Sequence, residues 1–483
     1  MSECDIGIIG LAAMGQNLAL NFARRGFRVC VYNRTAERTQ AFLMQRVHNE
    51  PILAAYTLED FVRSLARPRR ILLMVRAGPA VDEMLEGLIP LLEKGDVVMD
   101  GGNSHYIDTE RRIERLAARG IQFLGVGISG GLKGALYGPS IMPGGSLEGY
   151  KMIEEMLIRI AATSDEGPCC AYMGRGGAGH YVKMVHNAIE YAIMQGIAES
   201  YDFMKNALGM SPEAIAEVFE RWNEGTLKSY LMELAAQVLR YRDTETGEPL
   251  VELILDKAEQ KGTGRWAAQS ALELGVPTLT LTAAVIARIL SHFKADRERI
   301  AASFPWPKDR LEAPLEGLLS DLESALNLTV LVAFSQGLWL LHEASKVYRY
   351  GTDRAEALRI WQAGSIVRAR WLRFLREVLQ RNPEDPHLLF DPGFQSELQS
   401  RLFPAMRILQ RSMEWGVPMP ALGTAVEYVL SMRRAKLPAN LIQAQRDAFG
   451  AHTYERVDKP GVFHTEWETG GGGDELSGRI VLS

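Results

Sequence analysis

Residues 177–191 read Gly-Ala-Gly-His-Tyr-Val-Lys-Met-Val-His-Asn-Ala-Ile-Glu-Tyr, and the groups in them that can move protons recur at helical spacing. Counting from Lys183, the positions three, four, seven and eight residues on are His186, Asn187, Glu190 and Tyr191, which share one face of an α-helix. Val182, Val185, Ala188, Ile189, Ala192 and Ile193 make the rest of the circumference apolar. A helix apolar over most of its surface is buried, so the polar stripe is expected to line a cavity. Its chemistry is acid–base. A lysine amine, ordinarily with a pKa of ~10.4, becomes a useful base when desolvation lowers that value. Lys183 could then take a hydroxyl proton as the carbon bearing it is oxidised, and Glu190 could move a second proton. His186 and Asn187 suit the orientation of hydroxyls and a carboxylate.

An oxidation needs a hydride acceptor, and the N-terminus offers a place for one. A strand-like run ends in Gly10-Leu11-Ala12-Ala13-Met14-Gly15 and a helical pattern with Leu18, Ala19 and Phe22 follows. This is the dinucleotide fingerprint G-x-G-x-x-G with Ala12 for its second glycine. Gly10 allows the tight turn, Gly15 lets helix and strand pack closely, and the free amides of the helix N-terminus face a pyrophosphate. The next strand ends in Asn33-Arg34-Thr35, where an NAD enzyme usually carries Asp or Glu. A carboxylate there would repel a 2′-phosphate, whereas Arg34 supplies a donor fork and Asn33 and Thr35 neutral donors, so NADP is expected. Val75-Arg76-Ala77-Gly78 and Asp100-Gly101-Gly102-Asn103-Ser104 also fall at strand C-terminal ends, where open α/β sheets bind ligands.

The elements that must hold these groups are legible in outline. Apolar, β-rich runs at residues 6–9, 27–32, 71–75, 97–99 and 123–126 alternate with helical patterns, which predicts βαβ units and a mostly parallel Rossmann-like sheet over residues 1–176. After the cluster Gly174, Gly176, Gly177 and Gly179, helical periodicity dominates, predicting a large all-α substrate and dimerisation domain over 177–437. Pro305-Trp306-Pro307 and the proline-rich stretch 382–386 punctuate it as loops. Residues 438–483 are expected as an extended C-terminal tail, ending in the glycine run 470–473.

The chain has 483 residues, enough for two or three domains, of which 47% are hydrophobic and 23% charged, the profile of a globular protein. With 54 Lys and Arg against 59 Asp and Glu, a net charge of −5 offers no footprint for nucleic acid or an anionic membrane. The most apolar stretch, residues 326–341, is interrupted by Asn327, Ser335 and Gln336 and is not expected to span a membrane. Four cysteines without metal-ligand spacing predict neither a disulfide framework nor a metal site. The N-terminus has no basic region ahead of an apolar one, so the cytoplasm is the expected location.

These motifs resemble those of the decarboxylating 6-phosphogluconate dehydrogenase family. The matching segments are 10–18, 33–35, 100–104, 129–131 (Ser-Gly-Gly), 137–140 (Tyr-Gly-Pro-Ser), 177–191, 260–264 (Gln-Lys-Gly-Thr-Gly) and 437–455. The last of these, Leu-Pro-Ala-Asn-Leu-Ile-Gln-Ala-Gln-Arg-Asp-Ala-Phe-Gly-Ala-His-Thr-Tyr-Glu, is highly specific. The resemblance implies oxidation of 6-phosphogluconate at carbon 3 by NADP, then loss of CO₂ to give ribulose 5-phosphate in the pentose phosphate route. A ketone β to a carboxylate receives the electrons released on decarboxylation, so no metal is implied. The resemblance makes Lys183 the base and then the acid at the keto oxygen, and Glu190 the proton donor to carbon 1. It assigns the cofactor to residues 10–15, 33–35, Val75, Arg76, Ala77 and Asn103. Asn103, Ser129, Gly130, Gly131, His186 and Asn187 would hold the sugar acid, and Tyr191, Lys261, Arg288, Arg446 and His452 its phosphate, the last two from the partner in a homodimer with exchanged tails. A dianion needs several cations, and these lie far apart in sequence. Arg288, alone in the apolar run 284–290, has an interhelical salt bridge as its other reading.

Some positions depart from the family pattern. Leu132, Lys133 and Leu136 stand where two glutamates and an arginine are usual, and Ala192-Ile193 replaces Gly-Asp. Two other functions remain open at this point: an NADP-linked 3-hydroxyacid dehydrogenase acting on a different acid, and a catalytically silent NADP-binding dimer. A non-phosphorylated substrate has no use for Lys261, Arg288, Arg446 and His452 together, and retention of Lys183 and Glu190 speaks against a silent protein.

Overall fold

The computed structural model describes residues 3–304, 306, 315–467 and 479–480, which form two compact units, Met1–Val426 and Glu427–Ser483. In the first, strands β1 (Ile6–Ile9), β2 (Val29–Tyr32), β3 (Ile52–Ala54), β4 (Arg70–Leu73), β5 (Val97–Asp100), β6 (Gln122–Ser129) and β7 (Ser140–Gly145) make one sheet in the order β3-β2-β1-β4-β5-β6-β7. The first six run parallel, with Ile8 beside Val31 and Leu72, and β7 runs antiparallel to β6. The order reverses between β1 and β4, which opens the ligand crevice of a doubly wound sheet at the C-terminal ends of those strands. Two apolar clusters, one around Leu18, Phe22 and Val126 and one around Phe61, Leu73 and Leu85, cover the sheet.

β3 and β7 lie outside the runs read as strands. β7 is Ser-Ile-Met-Pro-Gly-Gly, whose last three residues carry turn chemistry, yet they are in the sheet because a helix backbone lies directly on them. That helix, Ala178–Asp202, bears the polar stripe. A Cβ on Gly144 would stand 2.2 Å from the Gly179 nitrogen, and one on Gly179 would stand 2.2 Å from the Gly125 carbonyl oxygen. Only glycine at these crossings lets strand and helix backbones touch.

Helices account for nearly all regular structure of this unit beyond the stripe helix, as its periodicity predicts. The helix Leu315–Val347 packs against the stripe helix and against Pro392–Glu414. Its window Gly317–Val347 is long and apolar enough to cross a membrane by length and composition, contrary to the reading of residues 326–341 as too interrupted. In its apolar 18-residue window, 89% is buried inside the protein, so its apolar character serves the core. Pro305 and Pro307 of the expected loop, and the glycine run 470–473, lie outside the described residues. In the second unit a helix, Ala439–Gly450, leads into three short antiparallel strands, Tyr454–Glu455, Val462–His464 and Arg479–Ile480.

Candidate active site

The glycine turn after β1 has the shape a pyrophosphate needs. Gly10 has φ +100°, and a Cβ there would meet the Met74 carbonyl oxygen at 2.5 Å; one on Gly15 would meet the Gly10 oxygen at 1.9 Å. Ala12 caps the helix Ala13–Arg24 without any side-chain bond, so the first amides of that helix stay free, with Ala12 and Ala13 exposed. These features fit a dinucleotide.

Asn33 departs from the role of a simple donor. Its Oδ1 accepts the Leu11 N–H at 3.0 Å and its Nδ2 donates to the Thr35 carbonyl at 3.1 Å, so it splints the two loops together. Arg34 is 85% exposed and, among the described residues, pairs only with Glu83, itself exposed, at 3.9 Å, which leaves the guanidinium available. Thr35 and Arg76 are also exposed, and Val75 and Ala77 are half-buried.

The turn after β5 is folded around Asp100. Its carboxylate accepts the Gly102 N–H at 3.0 Å and the Ser104 hydroxyl at 2.6 Å, while Arg112 sits at 3.5 Å and binds Asp82. Asn103 is thereby presented to solvent with no side-chain partner among the described residues. The stripe helix is pinned to the same turn by His180, absent from the residues singled out by sequence. Its Nε2–H donates to the Asp100 carbonyl at 3.0 Å, and its Nδ1 accepts the Thr109 hydroxyl at 2.6 Å. His180 lies one turn before Lys183 on the stripe, which was a usable signal.

Lys183 is 5% exposed. Burial lowers its pKa to about 8, against a smaller upward pull from the Glu190 charge. Burial raises the Glu190 pKa, opposed by Lys183 and Arg288. The same desolvation and the nearby ammonium push His186 well below the usual imidazole range, so it is neutral. Its partners then fix the tautomer. Nδ1–H donates to Asn187 Oδ1 at 3.1 Å, and Nε2 accepts the Ser129 hydroxyl at 3.0 Å. Ser129 Oγ in turn accepts the Ile366 N–H at 3.1 Å, and Asn187 Nδ2 donates to Thr263 Oγ1 at 3.3 Å.

This chain of bonds recruits the loop 361–366, another contributor unnoticed in sequence. The Trp361 ring stands edge-on to His186 at 5.3 Å, and a Cβ on Gly130 would lie 2.3 Å from the Gly364 oxygen. Gly130 and Gly131 have φ of +127° and +61°, so the turn after β6 requires both glycines.

At the far end of the stripe the Arg288 guanidinium lies over the Tyr191 ring, 3.4 Å from its centroid, and donates to the Glu259 carbonyl at 3.3 Å. It stacks rather than entering the interhelical salt bridge that was its other reading, with no carboxylate partner among the described residues. Gly264 packs on the same Tyr191 ring, which sets the turn bearing the exposed Lys261 beside it. Of the departures, Leu132 is exposed with its carbonyl accepting from Asn17, whereas Ile193 is buried beside Leu227, Val330 and Ile366. Arg446 and His452 are exposed residues of the second compact unit.

Two family models cover almost all of the chain. Residues 5–174 match the NAD binding domain of 6-phosphogluconate dehydrogenase, and residues 179–467 its C-terminal domain. Among curated proteins, the decarboxylating 6-phosphogluconate dehydrogenase of Synechococcus elongatus is 48% identical, over 97% of this chain and 100% of its own length. The NADP(+)-dependent, decarboxylating enzyme of Bacillus subtilis is 47% identical over the same shares. The 6-phosphogluconate dehydrogenase of Plasmodium falciparum, solved in its apo form and in complex with NADP+ and with 6-phosphogluconate, superposes with a TM-score of 0.93 at 40% identity, covering 96% of this chain and 100% of that one. Identity at this level over almost the whole chain, together with matches to both domain models of the family, means that the chain belongs to the 6-phosphogluconate dehydrogenase family.

Proposed function

We propose that this protein oxidises 6-phosphogluconate with NADP and decarboxylates the product, releasing ribulose 5-phosphate, CO₂ and NADPH. The observation that carries the reading is the pair on one helix face, a buried amine brought down to about 8 and a half-buried carboxyl raised above its ordinary value. An amine at about 8 suits a base working near neutrality, and a carboxyl pushed upward by burial holds its proton more readily, as a proton donor requires. NADP, when bound along the glycine turn, accepts the hydride from carbon 3.

In this mechanism neutral Lys183 takes the proton of the carbon-3 hydroxyl as the C–H bond breaks. The resulting ketone is β to the carboxylate, and CO₂ departs as its C–C electron pair moves toward the carbonyl. Protonated Lys183 returns its proton to that oxygen, giving an enediol; Glu190 then protonates carbon 1 while Lys183 takes back the proton of the enediol hydroxyl, which leaves the ketone of ribulose 5-phosphate. Ser129, His186 and Asn187 supply a fixed set of donors and acceptors to the sugar acid, with Asn103, Gly130 and Gly131 around it. Tyr191, Lys261 and Arg288 attract the phosphate of this subunit's substrate, and Arg446 and His452 serve the partner's.

That last assignment makes the enzyme a homodimer with exchanged tails. Exposed Leu441, Ile442 and Phe449 on the tail unit, and exposed Ile286, Ile289 and Leu290 beside Arg288, are apolar surface of the kind subunits cover. The four cysteines are buried free thiols, in keeping with a cytoplasmic enzyme. The purified protein given 6-phosphogluconate and NADP should form NADPH and CO₂ in equal amounts. NADPH without CO₂ would mean a simple hydroxyacid dehydrogenase, and neither product a silent binder.

A further inference from the structure

Arg446 and His452 sit on a short segment with an unusual interior. The helix Ala439–Gly450 ends in Ala451 at φ +50°, and Thr453 follows at φ +60°, two non-glycine residues in the left-handed region. Each such residue is unfavourable by roughly 1 kcal/mol or more and persists only where its surroundings hold it. What holds them is Asp447, which is 0% exposed on a helix that is otherwise largely solvated.

The Asp447 carboxylate accepts four donors. Oδ1 takes the Thr453 N–H at 2.9 Å and His464 Nδ1–H at 2.9 Å; Oδ2 takes the Thr465 N–H at 3.0 Å and Trp467 Nε1–H at 2.8 Å. Burial works to raise its pKa, but these donors outweigh it and hold the carboxyl at about 2. Gln443, one turn earlier, completes the arrangement. Its Nε2 donates to the Thr453 carbonyl at 2.6 Å, and its Oε1 accepts from Arg446 Nη1 at 3.1 Å. Thr453 is thus gripped at both its N–H and its C=O, and it immediately follows His452. Gly450 leaves room for the imidazole to fold back, since a Cβ there would meet His452 Nε2 at 2.7 Å.

We propose that Asp447 and Gln443 are positioning residues that set the Arg446 guanidinium and the His452 ring at a fixed separation for one phosphate. The inference rests on the reading of Arg446 and His452 as phosphate ligands. Asp447 orders the backbone that carries His452, and Gln443 ties that backbone to the Arg446 side chain, so the two ligands are presented as one unit before substrate arrives.

The test uses the full-length enzyme with Gln443→Met and Asp447→Asn, and with Arg446→Ala and His452→Ala as references. Gln443→Met keeps the length of the side chain on a half-exposed helix surface, so it tests the idea even where Asp447→Asn disturbs folding. Either variant should raise KM for 6-phosphogluconate about tenfold, with KM for NADP and kcat within about threefold of wild type. The inhibition constant of inorganic phosphate should rise in parallel, while kcat/KM for non-phosphorylated gluconate stays at the wild-type value. An unchanged KM for 6-phosphogluconate in Gln443→Met overturns the proposal, as does an equal loss toward gluconate, which would mark a general structural role. If Arg446→Ala and His452→Ala themselves leave KM unchanged, the phosphate assignment is the part that fails. If they raise it and Gln443→Met does not, the positioning inference alone is wrong.

Discussion

A methyl group on Gly127 of β6 would stand 2.5 Å from Cβ of Lys183 and 3.0 Å from the Gly179 carbonyl oxygen. The Lys183 side chain is therefore placed by the absence of a side chain on the neighbouring strand. Gly127 carries no positive φ, so its requirement is purely one of space. Gly127→Ala must push the stripe helix off the sheet or strain both, at roughly 1–3 kcal/mol. Thermal denaturation should show that loss, and kcat should fall at least about tenfold because the base is displaced relative to the nicotinamide side of the crevice. Gly317→Ala, where a Cβ meets nothing within 4 Å, should leave both unchanged or slightly stabilise the helix.

Lys183→Met separates the catalytic value of the amine from its structural cost. Folding takes this lysine from an ordinary pKa of 10.5 to about 8, so the native state binds fewer protons than the unfolded chain between those values. The cost is fully present below about pH 8 and disappears above 10.5. Turnover should be abolished in the variant, with NADP affinity nearly intact. Urea denaturation near neutral pH should show the variant more stable than wild type by roughly 1–3 kcal/mol, an advantage that shrinks as pH rises toward the unfolded value. A variant less stable at every pH would contradict the burial of the charge.

Local patterns made the sheet, the glycine turn and the stripe readable, because each is written in residues close together in sequence. Lys183, His186, Asn187 and Glu190 could be grouped because one helix carries them all. The bonds that aim them were not readable. His180 to the Asp100 carbonyl spans 80 positions, and Ile366 N–H to Ser129 spans 237, distances at which no periodicity survives. Asn33 was legible as a residue at the right place, but its amide splints two loops, a use that appears only once Leu11 and Thr35 stand on either side of it. β7 was hidden because its glycines answer to a helix backbone more than to strand propensity. Asp447 was hidden for the same reason as Ile366: its donors lie 6 to 20 residues downstream, in segments without regular pattern.

Cofactor choice should depend on Arg34 more than on Asn33. Arg34 is solvated and loosely placed near Glu83, so recruiting it to a 2′-phosphate breaks no strong bond. Arg34→Ala should raise KM for NADP about tenfold or more, with KM for NAD and the melting temperature little changed. Asn33→Asp keeps the acceptor for Leu11 but loses the donor to Thr35 and adds a negative charge beside the phosphate. It should lower the NADP-to-NAD preference further and cost some stability. Equal losses toward both cofactors in Arg34→Ala would remove the arginine from this role.

The pH dependence of the hydride step tests the coupling between Lys183 and Glu190 directly. Only the neutral amine can accept the hydroxyl proton, so single-turnover NADPH formation at subsaturating substrate should rise with pH through about 8. The Glu190 carboxylate is the one charge that pulls the lysine pKa upward against burial. Glu190→Gln removes that pull without changing the side chain's shape, so the amine should lose its proton more readily. The rising limb of NADPH formation should therefore move to lower pH in Glu190→Gln, even though CO₂-linked turnover is lost with the second proton donor. A limb that moves to higher pH would mean that burial, rather than the attraction between these two charges, changes on substitution. A limb that stays where it is would mean that a group other than Lys183 governs the proton transfer.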